Sequence, residues 1–223
     1  TMEINIQKRV LEANETEADI NRKFFKEQNV FVLNMMSSPG SGKTELLCKS
    51  LKALMPKIRV GVIVGDICTR NDADRLEITG AKVTQINTDQ FGGDCHLSAS
   101  LILASAKELG CFDLDLLIVE NIGNLVCPAE FDIGEDAKAV LLSVTEGEDK
   151  PLKYPLMFRV ADVAILNKID LLPYLDFDAK LAKDNMKQVH PHLPVFEISA
   201  KTGEGFEPWL EWLAMKVFEK TGK

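Results

Sequence analysis

Apolar residues are grouped into short continuous runs along most of the chain, and segments with helical spacing separate most of these runs. Seven runs have the length of single strands and are rich in β-branched residues at most positions: residues 30–36, 60–64, 83–86, 114–119, 139–144, 163–166 and 195–198. Nearly continuous apolar strands that alternate with helices are typical of a parallel sheet covered on both faces. The pattern therefore predicts an α/β fold with a mostly parallel β-sheet flanked by helices on both faces.

The first part of the chain has a different pattern. Residues 3–27 are mostly polar with scattered apolar positions, which predicts an N-terminal amphipathic helix laid over the domain. No internal repeat, low-complexity tract or linker divides the 223 residues, and 46% apolar residues are enough to bury one core. We expect residues 1–223 to form a single domain.

Composition narrows the possible partners and compartments. The 34 Asp and Glu residues outnumber the 26 Lys and Arg residues, whereas a nucleic-acid surface needs clustered positive charge. We find neither a run of about 18 apolar residues nor a basic stretch before an apolar core, so no membrane-spanning helix or secretory signal is predicted. Five cysteines without a Cys-x-x-Cys spacing indicate reduced thiols. We expect a cytoplasmic protein that binds neither nucleic acid nor membrane.

A glycine-rich loop directly follows the first predicted strand and opens a predicted helix. Residues 37–44 read Ser-Ser-Pro-Gly-Ser-Gly-Lys-Thr, in which Ser37 replaces the usual first glycine of a phosphate-binding loop. Backbone N–H groups of such a loop surround phosphates, its lysine reaches the β and γ oxygens, and its last hydroxyl ligates Mg²⁺. The predicted nucleotide-binding residues of this loop are Gly40, Ser41, Gly42, Lys43 and Thr44. The predicted fold is therefore that of a P-loop NTPase.

Two polar motifs follow the last two predicted strands, whose carboxyl ends line the ligand crevice in such sheets. The motifs are Asn167-Lys168-Ile169-Asp170 and Ser199-Ala200-Lys201. The Asp170 carboxylate can accept from the N1–H and amino groups of guanine, whereas adenine would leave a desolvated charge unpaired. Asn167 would brace the loop, Lys168 would lie along the base and ribose, and the Ala200 amide would meet the base carbonyl. The two motifs predict binding of GTP and GDP.

Acidic residues follow two further predicted strands, at the end where the phosphates would lie. Asp66 comes after the second strand and Glu120 after the fourth. We predict that both hold Mg²⁺ together with Thr44, directly or through water, and that the Gly123 amide senses the γ-phosphate. Asp72 lies in a polar segment that can order around GTP and relax after hydrolysis, although a solvated helix start is an alternative.

Hydrolysis of GTP is predicted to depend on Lys43, Asp72 and Glu120. Asn124 stands where many small GTPases have a water-orienting glutamine, and slow intrinsic turnover is expected without that group. A second subunit can supply an activating group, and Lys153 is the candidate donor. The alternative for Lys153 is an exposed loop lysine.

Five segments closely resemble the nickel-insertion GTPases of hydrogenase maturation, the HypB family. The segments are Met-Ser-Ser-Pro-Gly-Ser-Gly-Lys-Thr at 36–44, Gly-Asp-Ile-Cys-Thr-Arg-Asn-Asp-Ala-Asp-Arg at 65–75, Asp-Cys-His-Leu at 94–97, Val-Glu-Asn-Ile-Gly-Asn-Leu-Val-Cys-Pro at 119–128 and Thr-Glu-Gly-Glu-Asp-Lys-Pro-Leu-Lys-Tyr-Pro at 145–155. The resemblance implies a GTP-dependent homodimer that helps a nickel metallochaperone partner load the large subunit of nickel–iron hydrogenase. It also implies a metal site built from Cys95, His96 and Cys127.

Thiolate and imidazole ligands suit Ni²⁺ and Zn²⁺, and three protein ligands leave one position open for exchange. We expect Cys95 and His96 to start one helix, and Cys127 to lie in a loop that the γ-phosphate can move. Two other functions remain open. One is that of a urease-accessory GTPase, which also combines GTP, a Cys-His metal site and dimerisation. The other is that of a nucleotide-gated metal carrier or scaffold in which hydrolysis is incidental.

Overall fold

The computed structural model describes residues 2–55, 57–66, 71–87 and 96–222, without the side chains of residues 2–7 and 66. Its strands are β1 (Phe31–Ser37), β2 (Val60–Asp66), β3 (Lys82–Asn87), β4 (Leu116–Glu120), β5 (Ala137–Ser143), β6 (Val163–Asn167) and β7 (Val195–Ile198). Its α-helices are α1 (Met2–Gln28), α2 (Lys43–Leu54), α3 (Asn71–Glu77), α4 (Ala99–Leu109), α5 (Cys127–Glu130), α6 (Lys150–Lys153), α7 (Pro155–Arg159), α8 (Ala179–Val189) and α9 (Phe206–Thr221). Each of the predicted strands is present, with its bounds shifted by two residues or fewer.

The seven strands form one sheet in the order β3-β2-β4-β1-β5-β6-β7, and all neighbouring strands are parallel. The sheet predicted to be mostly parallel is therefore parallel throughout the described residues, and the α/β fold is confirmed. Because the strands are parallel, their carboxyl ends share one edge of the sheet. The loops that leave β1, β4, β6 and β7 at this edge carry the predicted nucleotide motifs.

Successive residues of the strands pack against helices on opposite faces of the sheet, as the two-residue period of a strand requires. In β1, Leu33 belongs to a buried cluster with residues of α2, α3 and α9, whereas Val32 belongs to a cluster with α1 and α4. Met36 belongs to a third cluster, which includes residues of α7 and α8. In α9, the buried Trp209 donates its Nε1–H to Ser50 Oγ over 3.0 Å. Helices therefore cover both faces of the sheet, as predicted.

The helix α1 occupies the residues for which an amphipathic helix is predicted. It packs against α4 and buries Ala18, Asn21 and Phe25, while Ile20 is exposed. Burial of an asparagine among apolar side chains is favourable only when its amide is hydrogen-bonded, and Asn21 donates to two carbonyl groups. In the described part of the chain, none of the helices combines the length and the apolar character that crossing a membrane requires.

The start of α4 differs from the prediction that Cys95 and His96 begin a helix. The helix begins at Ala99, because Ser98 has extended backbone angles and its Oγ accepts from the Leu101 amide, which caps the first turn. His96 therefore lies three residues before the helix, in irregular backbone. The prediction was wrong for His96, and Cys95 lies outside the described residues.

Candidate functional site

The loop between β1 and α2 has the backbone geometry that a phosphate cradle needs. Gly40 and Gly42 have φ angles of 74° and 97°, in the region that favours glycine. At Gly42 an added Cβ would lie 2.5 Å from Asn167 Nδ2, so the approach of β6 also excludes a side chain here. The helix α2 begins directly at Lys43 and points its N-terminus into the loop, where backbone N–H groups and the helix dipole favour anions.

Ser37, which replaces the usual first glycine of the motif, has a structural role in this loop. Its Oγ accepts from Lys43 Nζ over 2.8 Å and from Ser41 Oγ over 2.7 Å, and it donates to the Ser38 carbonyl over 2.7 Å. Lys43 is 9% exposed, and its ammonium is thereby held inside the loop by a neutral hydroxyl. Ser37, the residue that departs from the consensus, therefore holds the Lys43 side chain inside the loop.

The loop that follows β6 is tied to the phosphate loop through Asn167. The buried Asn167 donates from Nδ2 to the Ser41 carbonyl over 2.9 Å, and its Oδ1 accepts from the Ala200 amide over 3.1 Å. Asn167 thus braces the loop, as its predicted role requires. The Ala200 amide, which is predicted to meet a base carbonyl, donates to Asn167 in this structure. Lys168 has a φ of 65° and donates from Nζ to the Gly40 carbonyl over 2.6 Å.

The carboxylate predicted to read guanine is held by the second motif. Ser199 Oγ donates to Asp170 Oδ1 over 2.6 Å and accepts from the Thr202 amide over 3.0 Å. The Lys201 carbonyl accepts from Lys49 Nζ, which ties this loop to α2. These contacts fix the direction of the Asp170 carboxylate before a base is bound.

Two neighbouring cavities at this edge have the positions of a phosphate site and a base site. One, of about 440 Å³, is bounded by the phosphate loop, the start of α2, the segment after β4, and Asp72 of α3. The other, of about 300 Å³, is bounded by Asn167, Asp170 and Ala200. Both are also lined by Lys168. The predicted nucleotide residues are thereby brought to one continuous crevice.

Two of the three residues predicted to hold Mg²⁺, Thr44 and Glu120, line the phosphate cavity. Thr44 Oγ1 donates to Glu120 Oε1 over 2.9 Å, and both residues are buried. Asp66 is the last residue of β2, although its side chain is outside the described part. Hard oxygen donors beside a phosphate cavity are the ligand type that Mg²⁺ prefers, so the described residues fit the ion.

The segment after β4 lies against the phosphate loop and leads to α5. An added Cβ on Gly123 would be 3.0 to 3.1 Å from atoms of Pro39, which places Gly123 in contact with the phosphate loop. Asn124 Oδ1 accepts from the Val126 amide over 2.7 Å and from the Cys127 amide over 3.4 Å. The side chain at the usual glutamine position therefore holds the start of α5.

The candidate cargo-metal residues come from two different segments. The His96 ring stacks on Phe131 with centroids 3.6 Å apart, and Phe131 ends the short helix that begins at the half-buried Cys127. Within the described residues, no group of three or more His, Cys, Asp or Glu side chains is arranged to hold a metal ion. Cys95 lies outside the described residues. Of the three predicted ligands, the structure brings together the segments that carry His96 and Cys127.

Comparison with known proteins identifies the family. Residues 31–197 match the family model described as "CobW/HypB/UreG, nucleotide-binding domain". Hydrogenase maturation factor HypB of Rhizobium leguminosarum bv. viciae is 50% identical over 214 residues, which are 96% of this chain and 71% of that relative. The chain belongs to the HypB family.

Two solved HypB structures share the fold. HypB from Archaeoglobus fulgidus has a TM-score of 0.86 at 36% identity and covers 92% of this chain and 99% of its own. HypB from Helicobacter pylori, solved in complex with nickel, also has a TM-score of 0.86, at 38% identity, and covers 94% of this chain and 97% of its own. The resemblance of the sequence motifs to HypB, a family of hydrogenase maturation factors with a P-loop GTPase fold, is confirmed.

Two predicted catalytic residues of this HypB-family chain have different surroundings. Asp72 lies in the first turn of α3, lines the phosphate cavity and is 3.8 Å from Arg75 Nη1. Lys153 is exposed at the end of α6 and forms an ion pair with Asp149 over 2.6 Å, and this hydrogen bond raises the pKa of Lys153. Asp72 therefore lines the phosphate cavity, whereas Lys153 is outside the residues that line it.

Two charged residues that line the phosphate cavity, and one that contacts the phosphate loop, were assigned no role from the sequence. Arg75 and Glu45 line the cavity and form an ion pair over 2.5 Å. Glu146 accepts from Ser38 Oγ in the phosphate loop and from the Ser143 amide over 2.9 Å. Their sequence signals were weak, because Arg75 is only an i+3 neighbour of Asp72 and Glu146 lies far along the chain from Ser38.

A buried charged cluster supports the segment that follows α5. Glu135 accepts from Lys138 Nζ and from Asn34 Nδ2, both over 2.9 Å. Burial raises the pKa of Glu135 in spite of the positive charge of Lys138. Burial also acts to raise the pKa of Asp132. Hydrogen bonds with Glu135 and with the Gly134 amide, together with the charges of Lys138 and Arg22, outweigh burial and lower the pKa of Asp132. The surroundings of the two acids therefore shift their pKa values in opposite directions.

Proposed function

We propose that this HypB-family chain is a GTP-hydrolysing metallochaperone that assists GTP-dependent insertion of nickel into nickel–iron hydrogenase in the cytoplasm. One observation carries the proposal. The segment from residue 120 to 127 begins at Glu120, beside Thr44, and ends at Cys127, whose amide is held by Asn124. A short, hydrogen-bonded segment thus joins the phosphate cavity to a candidate metal ligand.

The phosphate loop would bind GTP by replacing internal contacts with stronger ones. The Lys43 ammonium is within hydrogen-bond distance of the neutral Ser37 hydroxyl, and phosphate oxygens are better acceptors for a charged donor. The Gly123 amide would donate to the γ-phosphate, which GDP lacks. Thr44, Glu120 and Asp66 would hold Mg²⁺, which neutralises charge on the phosphate oxygens when bound.

Guanine would be selected by the Asp170 carboxylate, which Ser199 already orients. For the base carbonyl to use the Ala200 amide, the bond from that amide to Asn167 must be shared or released. A desolvated carboxylate that finds no paired donors on adenine accounts for selection of GTP over ATP.

Hydrolysis would be slow in the isolated subunit. Asp72 lies at the phosphate cavity and is the candidate for orienting water, while the side chain of Asn124 is engaged with the start of α5. In a GTP-dependent homodimer, Lys153 would leave Asp149 and stabilise transition-state charge in the other subunit. Exposure of Lys153 on a short helix supports such a role.

The cargo would be bound by Cys95, His96 and Cys127. Thiolate and imidazole donors suit Ni²⁺ and Zn²⁺, and the nickel complex of the Helicobacter pylori HypB supports nickel as the cargo. A nickel metallochaperone partner and the hydrogenase large subunit are the proposed protein partners, because relatives of this chain are hydrogenase maturation factors.

The test is an equilibrium Ni²⁺ titration of the protein with GDP and with a non-hydrolysable GTP analogue, with association state measured in the same samples. We expect nickel affinity or stoichiometry to change with nucleotide, and Cys127→Ala and Cys95→Ala to abolish the change. Linkage requires nickel to alter the affinity for the GTP analogue by the same factor. As a control, Cys111→Ala removes a buried thiol at the other end of α4 and should leave the coupling intact.

A result in which nickel binding ignores both nucleotide and Cys127 would contradict the delivery role of this chain. GTP turnover, measured in parallel, tests the alternative in which the chain is a nucleotide-gated carrier and hydrolysis is incidental. If Asp72→Ala binds GTP without hydrolysing it and still supports hydrogenase maturation, the chain acts as a nucleotide-gated carrier.

A further inference from the structure

Two buried asparagines of α1 connect the segments that carry His96 and Cys127. Asn14 Oδ1 accepts from the Ala99 amide over 3.1 Å, and Asn14 Nδ2 donates to the Asp132 carbonyl over 2.7 Å. Ala99 is the first residue of α4, whose amide lacks a partner within its own helix. One side chain therefore joins the start of α4 to the loop that follows α5.

Asn21 repeats the connection about two helical turns further along α1. Its Nδ2 donates to the Ala99 carbonyl over 2.7 Å and to the Ile133 carbonyl over 2.9 Å. Asn14 and Asn21 are 7% and 1% exposed, so both sets of hydrogen bonds are shielded from water. The backbone of Ala99 is thus bound through both its N–H and its carbonyl group.

Close packing at Gly134 holds the loop against the same part of α1. Gly134 has a φ of 82°, and an added Cβ would lie 2.5 Å from Asn21 Cβ and 2.7 Å from the Ala18 carbonyl oxygen. No side chain fits between the loop and the helix at this point. The contact is independent of the hydrogen bonds and places the loop at the same position.

The ring contact between His96 and Phe131 lies beside this junction. Phe131 directly precedes Asp132, and His96 lies three residues before Ala99. The two segments come from elements that are distant in sequence. Their relative position is therefore fixed by the hydrogen bonds that both make with α1.

We infer that Asn14 and Asn21 are positioning residues for the cargo-metal site, which hold the segment that carries His96 against the segment that follows Cys127. The inference rests on the proposed function. It assigns a role in metal binding to α1, which contributes none of the proposed ligands. Loss of the asparagine bonds would lower metal affinity and change coordination geometry, while the nucleotide crevice on other loops stays intact.

The experiment compares Ni²⁺ titrations of the wild type, Asn14→Ala and Asn21→Leu in the presence of GDP. Leucine keeps the approximate volume of Asn21 but donates to neither carbonyl. We expect nickel affinity to fall about tenfold in each variant, which corresponds to ~1.4 kcal/mol. The nickel–thiolate absorption band should also shift, since it reports ligand geometry, and the kcat and KM for GTP should be unchanged.

Two controls separate positioning from loosening of the fold. Phe25→Leu weakens the packing of α1 through an apolar side chain that contacts neither segment through a hydrogen bond. Asn185→Leu removes a similar amide-to-carbonyl bond, from Asn185 Nδ2 to the Glu148 carbonyl, elsewhere in the fold. Melting temperatures of all variants allow comparison at equal stability, and Asn21→Gln, which restores the amide donors, should recover part of the nickel affinity.

The outcomes distinguish this inference from the function on which it rests. If the wild type binds no nickel, or if Cys127→Ala binds it normally, both the proposed metal site and the positioning role fail. If Cys127→Ala abolishes binding but Asn14→Ala and Asn21→Leu behave like Phe25→Leu, only the positioning role is overturned.

Discussion

At the nucleotide end, loops that leave different strands of the sheet are tied directly to one another, as when Asn167 bonds both the Ser41 carbonyl and the Ala200 amide. On the cargo side, by which we mean the junction of residues 96–99 with residues 127–134, two segments are tied by the side chains of a third element, α1. The contacts at the nucleotide end depend only on the order of the strands in the sheet. Those on the cargo side need a helix from the start of the chain to be docked.

This difference implies that a substitution in one region should lower the affinity for the ligand of that region and leave the other affinity unchanged. Residues of the nucleotide end lie within short motifs, so one substitution disturbs one ligand. The cargo side depends on packing between elements, so a substitution in α1 should alter the proposed metal site without contacting it. On this proposal, a nucleotide site that is built locally is separate from a metal site that is assembled from distant parts of the chain.

The largest effect is expected for Gly42→Ala, a substitution in the phosphate loop at the nucleotide end. A methyl group would overlap Asn167 Nδ2, and a φ of 97° is unfavourable for alanine. Together these costs should reach ~3 kcal/mol, or about a 100-fold loss of GDP affinity measured with a fluorescent nucleotide. Nickel affinity should be unchanged.

The matched control for Gly42→Ala is Gly40→Ala in the same loop, where φ is 74° but an added Cβ meets nothing within 4 Å. It isolates the cost of positive φ from the overlap. Equal loss of GDP affinity in the two variants would show that the Asn167 brace is not responsible.

A somewhat smaller effect is expected for Asp170→Asn, which changes the base that is bound. The amide cannot accept both guanine donors but can donate to the additional carbonyl of xanthine. GTP affinity should fall about 10- to 100-fold and xanthosine triphosphate affinity should rise, as measured by competition. The exposed Asp176→Asn should change neither affinity, and unaltered base preference in Asp170→Asn would remove this residue from the base site.

On the cargo side, Gly134→Ala is the counterpart of the glycine change in the phosphate loop. The new methyl group would overlap Asn21 Cβ and push the loop away from α1. We expect nickel affinity to fall about tenfold, with GTP turnover retained. Loss of nucleotide affinity in this variant, measured in the same samples, would mean that the two regions do not fail independently.

The smallest effect is expected for Glu135→Gln in the charged cluster beneath the cargo side. Burial raises the pKa of Glu135, so the stability that its protonated form contributes is lost as pH rises through the folded-state pKa. The uncharged glutamine avoids this loss. The melting temperature of the variant minus that of the wild type should therefore increase as pH rises above 4.5, the ordinary pKa of a glutamate side chain.

The opposite slope is expected for Asp132→Asn. The pKa of Asp132 is lowered on folding, so its contribution to stability is lost as pH falls. The melting temperature of this variant relative to the wild type should therefore improve toward low pH. Slopes of the same sign for Glu135→Gln and Asp132→Asn would contradict the opposite directions of the two pKa shifts.

Much of the nucleotide end was predictable because its residues are close in sequence to the strands that position them. The seven apolar runs correspond to β1–β7, and the motifs at Lys43 and Asp170 lie at the crevice because all parallel strands end at the same edge. The role of Ser37 was not predictable, since its bonds to Lys43 and Ser41 exist only in the folded loop.

The start of α4 was wrongly predicted because Ser98, two residues after His96, is extended and caps the first turn of the helix. Arg75 and Glu45 were missed at the phosphate cavity because their ion pair joins two helices, and charged residues on helices are usually solvated.

The sequence by itself determined the order of strands and helices, the parallel sheet and the identity of the nucleotide motifs, because periodicity and short motifs act over a few residues. Only the tertiary structure decided how α1 joins Ala99 to Ile133, how Glu146 meets the phosphate loop, and how the buried Glu135 accepts a hydrogen bond from Asn34. These contacts bring together residues tens of positions apart. No local pattern encodes such pairs, since their hydrogen bonds depend on the packing of whole elements.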